Sequence, residues 1–289
     1  MIHIIVNPAS GSGNPEKLLE QIRQELERRQ LAFTVHPTQA PGHATQLTRE
    51  ALEDESCSLL LAVGGDGLLS EVSRAMDGSR IPLGIVPAGT GNDFIKTIGT
   101  PADPMEGLRF VLEHEAKATD CGKLNGTPFL NVCGTGFDVS VLEQTERFKK
   151  HLNGLLPYLL GLLCAIFTYK PRHVKLTIDG EQREMDALVC AIANGRIIGG
   201  GIPICPAASV EDGLLDLVLV KHVPRHRIFR YLPGLLKGKI LSFDVTEHLL
   251  CRQVTIDCPG MSFNCDGEIL HLDRATLEVC PGGIRIPRP

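Results

Sequence analysis

The sequence predicts an α/β protein with an N-terminal domain built on a parallel sheet and a C-terminal antiparallel β-sandwich domain. In the first 125 residues, short apolar runs such as IHIIV and SLLLAV alternate with helical patterns, as in a parallel sheet covered by helices on both faces. After about residue 125 the chain becomes a succession of strand patterns separated by tight turns, which is typical of antiparallel sheets. A length of 289 residues leaves room for two domains with a crevice between them.

The elements of the first domain follow one another in strand–helix order. The strand IHIIV leads through a turn-rich loop into the helix PEKLLEQIRQELERRQ, whose apolar side chains recur on one face. The strand AFTVHPT, the helix GHATQLTREALEDE, the strand SLLLAV, the helix GLLSEVSRAM and the strand PLGIVP complete the pattern. Because these strands are short and continuously apolar, we expect helices to bury both of their faces.

The second domain is predicted from four β-rich runs, which are VKLTIDGEQREMDALVCAIANG, GLLDLVLVKHV, QVTIDCPGMSFNCDGEILHL and ATLEVCPGGIRI. Residues that favour turns, such as Gly, Pro, Asn and Asp, interrupt or bound these runs. The change in pattern puts the domain boundary near residue 125. Exposed edge strands in such a domain are compatible with a homodimer.

Composition excludes some classes of function. The net charge is −5, tryptophan is absent and aromatic residues make up 4% of the chain, so no nucleic-acid partner is expected. The ten cysteines include no Cys-x-x-Cys pair, and the evenly spaced Cys251, Cys258 and Cys265 lack the paired spacing of zinc ligands. We therefore predict reduced, structural thiols. The chain starts with a strand pattern rather than a signal peptide, which favours a cytoplasmic protein.

Three glycine-rich loops follow predicted strands: NPASGSG at residues 7–13, GGDGLLSE at 64–71 and PAGTGNDF at 87–94. In an open parallel sheet the carboxyl ends of the strands form the ligand-binding edge, and such loops offer backbone N–H groups to phosphate. The P-loop and the dinucleotide-binding glycine pattern are both absent. Asp66 and Asp93 lie in these loops and would repel phosphate unless a divalent cation lay between, so Mg²⁺ is expected.

Taken in order, the motifs NPASG, GGDG, GTGNDF, DGLLD and CDGE resemble those of the diacylglycerol kinase catalytic-domain family. More narrowly, the chain resembles the soluble bacterial lipid kinases of that family, from Ile2 nearly to the C-terminus. The resemblance implies an enzyme, peripheral to the membrane, that uses ATP and Mg²⁺ to phosphorylate a hydroxyl of diacylglycerol or a related lipid. The alternatives are an NAD kinase, which shares the Gly-Gly-Asp-Gly loop, and a non-catalytic nucleotide-binding protein.

The resemblance also implies domain limits and nucleotide-site residues. It implies an ATP-binding domain of residues 1–125, which the tail of about 281–289 rejoins, and a lipid-substrate and metal domain of residues 126–280. The nucleotide-site residues that it implies are Asn7, Pro8, Ala9, Ser10, Gly11, Thr38, Gly64, Gly65, Asp66, Gly67, Leu68, Leu69, Ser70, Thr90, Asn92, Asp93 and Asp120. At Leu68 the family usually has threonine, so a hydroxyl that could contact phosphate or cap the following helix is missing.

Two magnesium ions are implied by the same resemblance. Asp66, Asp93 and Asp120 would form a water-linked network around a catalytic Mg²⁺. A structural Mg²⁺ would be held by Asp212 and by the backbone oxygens of Ser209 and Leu214. By local pattern alone, each of these aspartates is an ordinary turn or cap residue.

The catalytic base is sought in an Asp-Gly-Glu tripeptide, which occurs twice in this chain. It occurs at 179–181 and at 266–268, and strand patterns flank both copies, so both could be hairpin turns without chemistry. The local pattern does not choose between them. The resemblance selects the second, which implies that Asp266 is the base and that Glu268 shares or takes that role.

Two segments are candidates for contact with a membrane. Leu152 to Tyr169 has no charged residue, and a buried or partly exposed helix pair is favoured there over a lipid-facing surface, with a transmembrane span last. Pro224 to Lys239 mixes basic with aromatic and aliphatic residues, as an interfacial segment would, although a solvated helix face has the same pattern. The identity of the lipid is not determined by these patterns.

Overall fold

The computed structural model describes residues 1–9, 15–149 and 156–289. Its first domain is a four-stranded parallel sheet with strand order β2-β1-β3-β4. The strands are β1 (Ile2–Val6), β2 (Phe33–Pro37), β3 (Leu59–Gly64) and β4 (Leu83–Pro87). The helices are α1 (Pro15–Arg28), α2 (His43–Leu52), α3 (Asp66–Ala75), α4 (Asp93–Ile98) and α5 (Pro104–Glu113).

This parallel sheet is buried, as its continuous apolar strands predict. Every residue of β1 and β4 is buried, and β3 is buried from Leu60 onward. Helix α1 packs Ile22 and Leu26 into the core of the sheet, because side chains four residues apart share one helical face. The four strands are parallel, so their carboxyl ends and the loops that follow meet at one edge.

The described part of the second domain contains a nine-stranded antiparallel sheet, a two-stranded ribbon and helices. The strands of the large sheet are β5 (Ala116–Leu124), β6 (Thr127–Phe129), β7 (Val132–Gly136), β8 (Arg172–Ile178), β9 (Glu181–Ala193), β12 (Leu215–Lys221), β13 (Thr246–Cys251), β14 (Gln253–Cys265) and β15 (Glu268–Pro287). The ribbon is β10 (Ile197–Ile198) with β11 (Ile202–Pro203). The remaining elements are α6 (Phe137–Lys149), α7 (Leu156–Thr168), α8 (Arg225–Leu236) and a 3₁₀ turn at Ile240–Ser242.

The large sheet folds over on itself because β9 and β14 are long enough to pair with two strands in succession along one edge, while β12 and β15 pair along their other edges. One part of each strand pairs with β8 and the other part with β7. Apolar side chains from these strands and from β12 fill the interior, including the fully buried Leu217, Val254 and Phe263. The predicted fold class, a parallel-sheet domain followed by an antiparallel β-rich domain, is confirmed.

The two domains share a hydrophobic core at β5 and β15. The C-terminal part of β15 pairs with β5, so residues 284–287 belong to the second sheet. Ile284 and Ile286 nevertheless pack in one cluster with Leu60 and Ile85 of the first sheet. The end of the chain therefore contacts both domains.

Both Asp-Gly pairs form tight turns of the same geometry. The φ angles are 46° and 93° at Asp179 and Gly180, and 49° and 92° at Asp266 and Gly267. Left-handed conformations at both central residues are typical of type I′ hairpin turns. Backbone geometry therefore does not distinguish the two tripeptides, in agreement with their local sequence.

Helix α7 forms the described part of the uncharged segment, and residues 152–155 lie outside the described residues. It packs against α6 and, less extensively, against α8. In the described part of the chain, no helix combines the length and the apolar character needed to cross a membrane. Several large apolar side chains on α7 and α8 are nevertheless exposed, namely Leu156, Leu163, Phe167, Phe229 and Leu236.

Candidate active site

The loops that follow β3 and β4 lie backbone to backbone at the carboxyl edge of the parallel sheet. A Cβ built on Gly89 would overlap Cα of Gly65, and one built on Gly91 would lie 2.9 Å from Asp66 Oδ2. Asn92 holds the second loop closed, because its Nδ2 donates to the carbonyl oxygen of Gly89 at 2.8 Å. Close contact between the two loops therefore requires glycine here.

Asp66 connects the two loops through its carboxylate. Its Oδ1 accepts from the backbone N–H of Asp93 at 2.8 Å and of Phe94 at 3.5 Å. In the described residues its Oδ2 has no hydrogen-bond partner. Burial and the nearby Asp93 carboxylate raise the pKa of Asp66. A free carboxylate oxygen next to a second carboxylate is suited to bind a cation.

Asp93 joins the first domain to the ribbon of the second. Its Oδ1 accepts from Lys96 Nζ at 2.8 Å, and its Oδ2 accepts from the backbone N–H of Gly200 at 2.7 Å. Gly200 lies in the turn between β10 and β11. Lys96 belongs to none of the sequence motifs, and it reaches Asp93 because the two residues are three positions apart on α4.

Asp266 occupies the turn between β14 and β15, and its carboxylate caps the start of β7. Its Oδ2 accepts from the N–H of Leu130 at 2.7 Å, and its Oδ1 accepts from those of Asn131 at 3.0 Å and Val132 at 3.1 Å. Burial raises the pKa of the Asp266 carboxyl to about 6, although these three donors favour its charged form. The charge of Asp66 contributes to the increase, so the two carboxylates are near each other.

One cavity of about 210 Å³ between the domains is lined by Asp66, Asp93 and Asp266. The other lining residues are Leu69, Ser70, Phe94, Leu130, Asn131, Val132, Leu142, Ile198, Gly199, Gly200, Asn264 and Gly267. The structure therefore brings together three carboxylates that were predicted from three separate motifs. Acidic groups that share a cavity repel each other when ionised, so a cation or a proton would stabilise the arrangement.

Asp120 does not line this cavity. Its two carboxylate oxygens accept from the backbone N–H groups of Gly213 and Gly282, each at 2.7 Å. In the described residues, no hydrogen bond joins it to Asp66 or Asp93. Asp120 therefore connects the loop before β12 to the C-terminal strand.

The residues predicted for a structural metal lie together in the loop at 209–214. Asp212 is exposed, and its Oδ1 accepts from the backbone N–H of Leu214 at 3.1 Å. The Ser209 hydroxyl accepts from the backbone N–H of Glu211 at 3.3 Å. The turn is thus organised by its own side chains, and the assignment of a metal to it stays a prediction.

The two Asp-Gly-Glu turns differ in their surroundings. Asp179 is exposed and accepts from the N–H groups of Arg252 and Gln253, away from the carboxylate cavity. Glu268, in the second tripeptide, forms an ion pair with Arg74 of α3 and does not line the cavity. Of the acidic residues in the two turns, Asp266 is the one that the cavity contains.

The remaining predicted nucleotide residues lie at the same edge of the parallel sheet where they are described. Asn7 follows β1, and its side-chain oxygen accepts from the N–H of Ala9 at 2.9 Å. Thr38 follows β2, and Pro8 and Thr90 are exposed in their loops. Ser10 and Gly11 lie outside the described residues.

Leu68, which stands where the family has threonine, is 6% exposed and packs in the core of the first domain. It covers Gly64 closely, since a Cβ at that glycine would lie 2.5 Å from Leu68 Cδ2. The N-cap of α3 is Gly65, which has no side-chain hydrogen bond to offer. The start of α3 can therefore bind a ligand through its backbone N–H groups. Asp66 and Ser70, in the first turns of the helix, are the polar side chains there.

Three polar residues near the cavity were missed by the sequence analysis. Asn131 and Asn264 line it, and the buried Oδ1 of Asn131 has no hydrogen-bond partner in the described residues. Oδ1 of Asp138, at the start of α6, is also buried without a hydrogen-bond partner in the described residues. Burial raises the pKa of the Asp138 carboxyl to about 6. Neither asparagine belongs to a motif with a chemical signature, because strand pairing alone brings them to the site.

A second, apolar cavity of about 450 Å³ adjoins the first. It lies between α6, α7, α8 and the large sheet, and its lining is aliphatic and aromatic apart from a few residues such as Asp138 and Asn264. The two cavities share the lining residues Leu142, Ile198, Gly199 and Asn264. A set of carboxylates therefore lines a cavity that adjoins a larger apolar one.

Two family models match the chain in succession. Residues 1–124 match the diacylglycerol kinase catalytic domain. Residues 131–288 match the YegS C-terminal NAD kinase beta sandwich-like domain. Together they cover both domains of the structure.

Individual relatives match over nearly the whole chain. A Pseudomonas aeruginosa protein named "Probable lipid kinase YegS-like" is 33% identical, with 99% of this chain and 94% of the relative covered. A Mycobacterium tuberculosis protein named "Diacylglycerol kinase" is 29% identical, with the same shares covered. A crystal structure from Bacillus anthracis, of a protein assigned to the diacylglycerol kinases, superposes with a TM-score of 0.81 at 26% identity and covers 100% of this chain and 97% of that one.

The fold is that of a two-domain protein in which glycine-rich loops at the edge of a parallel sheet and a turn of a β-rich domain line one cavity, and the relatives that share it are named as kinases. The matches extend over both domains and include a relative above 30% identity. The chain therefore belongs to the diacylglycerol kinase family, with the YegS-like lipid kinases. The predicted family and the predicted enzyme class, a lipid kinase, are confirmed.

Proposed function

We propose that this lipid kinase transfers the γ-phosphoryl group of ATP to a hydroxyl of diacylglycerol or a related lipid, with Mg²⁺ as the metal. The observation that carries the proposal is that the carboxylate cavity and the apolar cavity share four lining residues. A substrate with a polar head and long apolar chains fits such a pair, because burial of each methylene stabilises the complex by about 0.8 kcal/mol. NAD is polar throughout and would leave the apolar cavity without a suitable ligand.

The nucleotide would bind at the glycine-rich edge of the parallel sheet. Helix α3 begins at this edge, so backbone N–H groups of its first turn and of the loop after β4 would bind phosphate there. The Oδ2 of Asp66, unpaired in the described residues, and the nearby carboxylate of Asp93 fit a hard divalent cation, and Mg²⁺ would supply neutralisation of the phosphate charge. Lys96, next to Asp93, adds a positive charge to the same region.

Asp266 is the proposed general base. As the lipid hydroxyl attacks the γ-phosphorus, the bond from phosphorus to the bridging oxygen of ATP breaks and ADP leaves. The hydroxyl proton goes to Asp266, whose Oδ2 accepts one backbone N–H and keeps a second lone pair. A pKa near 6 suits this role, because the group is ionised at neutral pH and still basic enough to accept a proton.

A direct assay of acceptors tests the proposed function. Purified protein with ATP and Mg²⁺ is given diacylglycerol in detergent micelles, other lipid alcohols, or NAD, and the phosphorylated product is measured. Incorporation into a lipid is expected, with no phosphorylation of NAD. Phosphorylation of NAD alone would support the NAD kinase alternative, and nucleotide binding without transfer to any acceptor would support a non-catalytic protein.

The faces of α7 and α8 next to the apolar cavity are suited to a membrane surface. Phe167, Phe229 and Leu236 are 63%, 46% and 58% exposed, and α8 also lines the cavity. The exposed side chains of Arg225, Arg227 and Arg230 lie on the same helix, with no ion pair in the described residues. We infer that this surface, the α7–α8 face, docks on anionic membranes and lets a lipid enter the cavity.

Reversing the charge of the α7–α8 face is expected to abolish vesicle binding. Each basic residue near an anionic surface contributes about 1 kcal/mol, so changing Arg225, Arg227 and Arg230 to Glu should weaken binding at least about 100-fold. Sedimentation with vesicles of phosphatidylglycerol and phosphatidylcholine measures this, and high salt should also weaken binding by the parent.

A matched control separates this surface from a general effect of net charge. Arg23, Arg49 and Arg109 are exposed on α1, α2 and α5 of the first domain, and changing them to Glu alters the net charge equally. This control should bind like the parent. Equal loss in the two triple variants, or binding that does not depend on lipid charge, would exclude the α7–α8 face as the docking surface.

A further inference from the structure

A cluster of three potential metal ligands lies in the second domain, apart from the carboxylate cavity. Cys205, Asp216 and His248 each offer one ligand atom, and these atoms all lie within 4.8 Å of one another. Cys205 is in the loop after β11, Asp216 is on β12 and His248 is on β13. None of the three lines the carboxylate cavity or the apolar cavity, so the proposed kinase mechanism does not use them.

Strand pairing brings these residues together. In the β12–β13 register, Asp216 is opposite Leu250 and Val218 is opposite His248. Asp216 and His248 are therefore diagonal neighbours on one face of the sheet, and the loop that carries Cys205 packs over that face. No sequence spacing signals this cluster, because its members are 11 and 32 residues apart along the chain.

The buried carboxylate of Asp216 is incompletely paired. The residue is 1% exposed, and its Oδ1 lies 2.6 Å from His248 Nε2. The Cys205 thiol is the other group that contacts this carboxylate, and Oδ2 is buried with no nitrogen or oxygen donor in the described residues. A buried carboxylate oxygen without a strong donor is destabilising, so the ion pair with His248 does not account for the whole carboxylate. A cation placed among the three residues would satisfy it.

We propose that Cys205, Asp216 and His248 bind a zinc ion. Thiolate, imidazole and carboxylate are the three ligand types that Zn²⁺ takes in proteins, whereas Mg²⁺ takes oxygen ligands and waters. The His248 side chain is 28% exposed, so the cluster is reached from solvent and a water can complete a tetrahedral set. Binding displaces the thiol proton of Cys205 to solvent.

The zinc ion would join the Cys205 loop to the edge of the large sheet. The same loop is held to Arg196, whose Nε donates to the carbonyl of Ala208 at 2.7 Å. Arg196 follows β9 and immediately precedes the ribbon, whose Gly200 N–H binds Asp93. The ion would therefore stabilise the segment that forms one wall of the carboxylate cavity. The proposal is independent of the proposed function, since the ion takes no part in phosphoryl transfer.

Cobalt substitution tests the site through a signal specific to thiolate coordination. Metal-stripped full-length protein is titrated with Co²⁺, and the thiolate-to-cobalt charge-transfer absorption is recorded in the near ultraviolet. We expect this band to appear at one equivalent and to be lost when Zn²⁺ is added, because zinc binds such sites more tightly than cobalt. Zn²⁺ should also raise the melting temperature of the stripped protein, since it binds the folded state.

Variants assign the signal to these residues. Cys205→Ser should abolish the band, and His248→Gln should weaken Co²⁺ binding at least about tenfold while keeping a polar group diagonal to Asp216. The two thiols that are only partly buried, Cys164 and Cys280, provide the control, and the double variant Cys164→Ser/Cys280→Ser should keep the band. Circular dichroism of each metal-free variant verifies its fold. Absence of the band from the parent, or its persistence in Cys205→Ser, would overturn the proposal.

Discussion

Replacing Asp266 by Asn is expected to lower turnover at least about 100-fold while ATP still binds, because the variant cannot accept the proton of the attacking hydroxyl. The nucleotide loops belong to the other domain and stay intact. The amide would place an N–H group toward the N–H of Leu130, so a loss of stability of about 1–3 kcal/mol is also expected. Turnover and ATP affinity are measured on variant protein shown to be folded.

The chain contains its own control in Asp179. That residue has the same turn geometry and also accepts from backbone N–H groups of a neighbouring strand, but it is exposed and remote from the cavity. Asp179→Asn should therefore keep most of the activity. Equal losses in the two variants would show that the turn, rather than the base, was disturbed.

The pH profile supplies a second measurement of the same role. A base must be ionised, so kcat of the parent should be constant above pH 7 and fall about tenfold per unit below the pKa of Asp266, which is about 6. A profile that stays constant well below pH 6 would contradict Asp266 as the base. In Asp266→Asn, any residual activity should no longer decrease below pH 6.

Replacing Gly89 by Ala is expected to lower both activity and stability. The added methyl group would overlap Cα of Gly65 and would lie 2.9 Å from Asn92 Oδ1, and backbone cannot move aside as a flexible side chain can. The two loops must then separate, which displaces Asp66 from the start of α4. A displacement of about 1 Å in a catalytic site can reduce the rate about 100-fold.

Gly67→Ala is the matched control for this steric argument. Gly67 lies in the same motif, but a Cβ there would meet nothing within 4 Å. It is also inside α3, where alanine is more favourable than glycine by about 1 kcal/mol. Thermal unfolding should therefore show an unchanged or raised melting temperature for Gly67→Ala and a lowered one for Gly89→Ala. Similar melting temperatures for the two variants would contradict the close packing of the loops.

Local patterns in the sequence were sufficient for the fold class. Apolar runs without alternation predicted the buried parallel strands, and turn residues between β-branched runs predicted the hairpins of the second domain. Motif order was sufficient for the family, and it indicated Asp66, Asp93 and Asp266 as site residues. The fold class was inferred from residues that are close together in the chain. The family was inferred from the order of short motifs, which does not depend on how the chain folds.

The structure alone decided which of these residues meet. Asp179 and Asp266 have the same local sequence and the same turn, and pairing with β7 rather than with the segment after β13 is what places Asp266 in the cavity. The water-linked network of Asp120 with Asp66 and Asp93 stays a prediction, and what the structure adds is the direct contacts of the Asp120 carboxylate, which accepts from the backbone N–H groups of Gly213 and Gly282. The apolar cavity and the Cys205–Asp216–His248 cluster are formed by strands and helices distant in sequence. Their positions depend on strand register and long-range packing, which local composition does not determine.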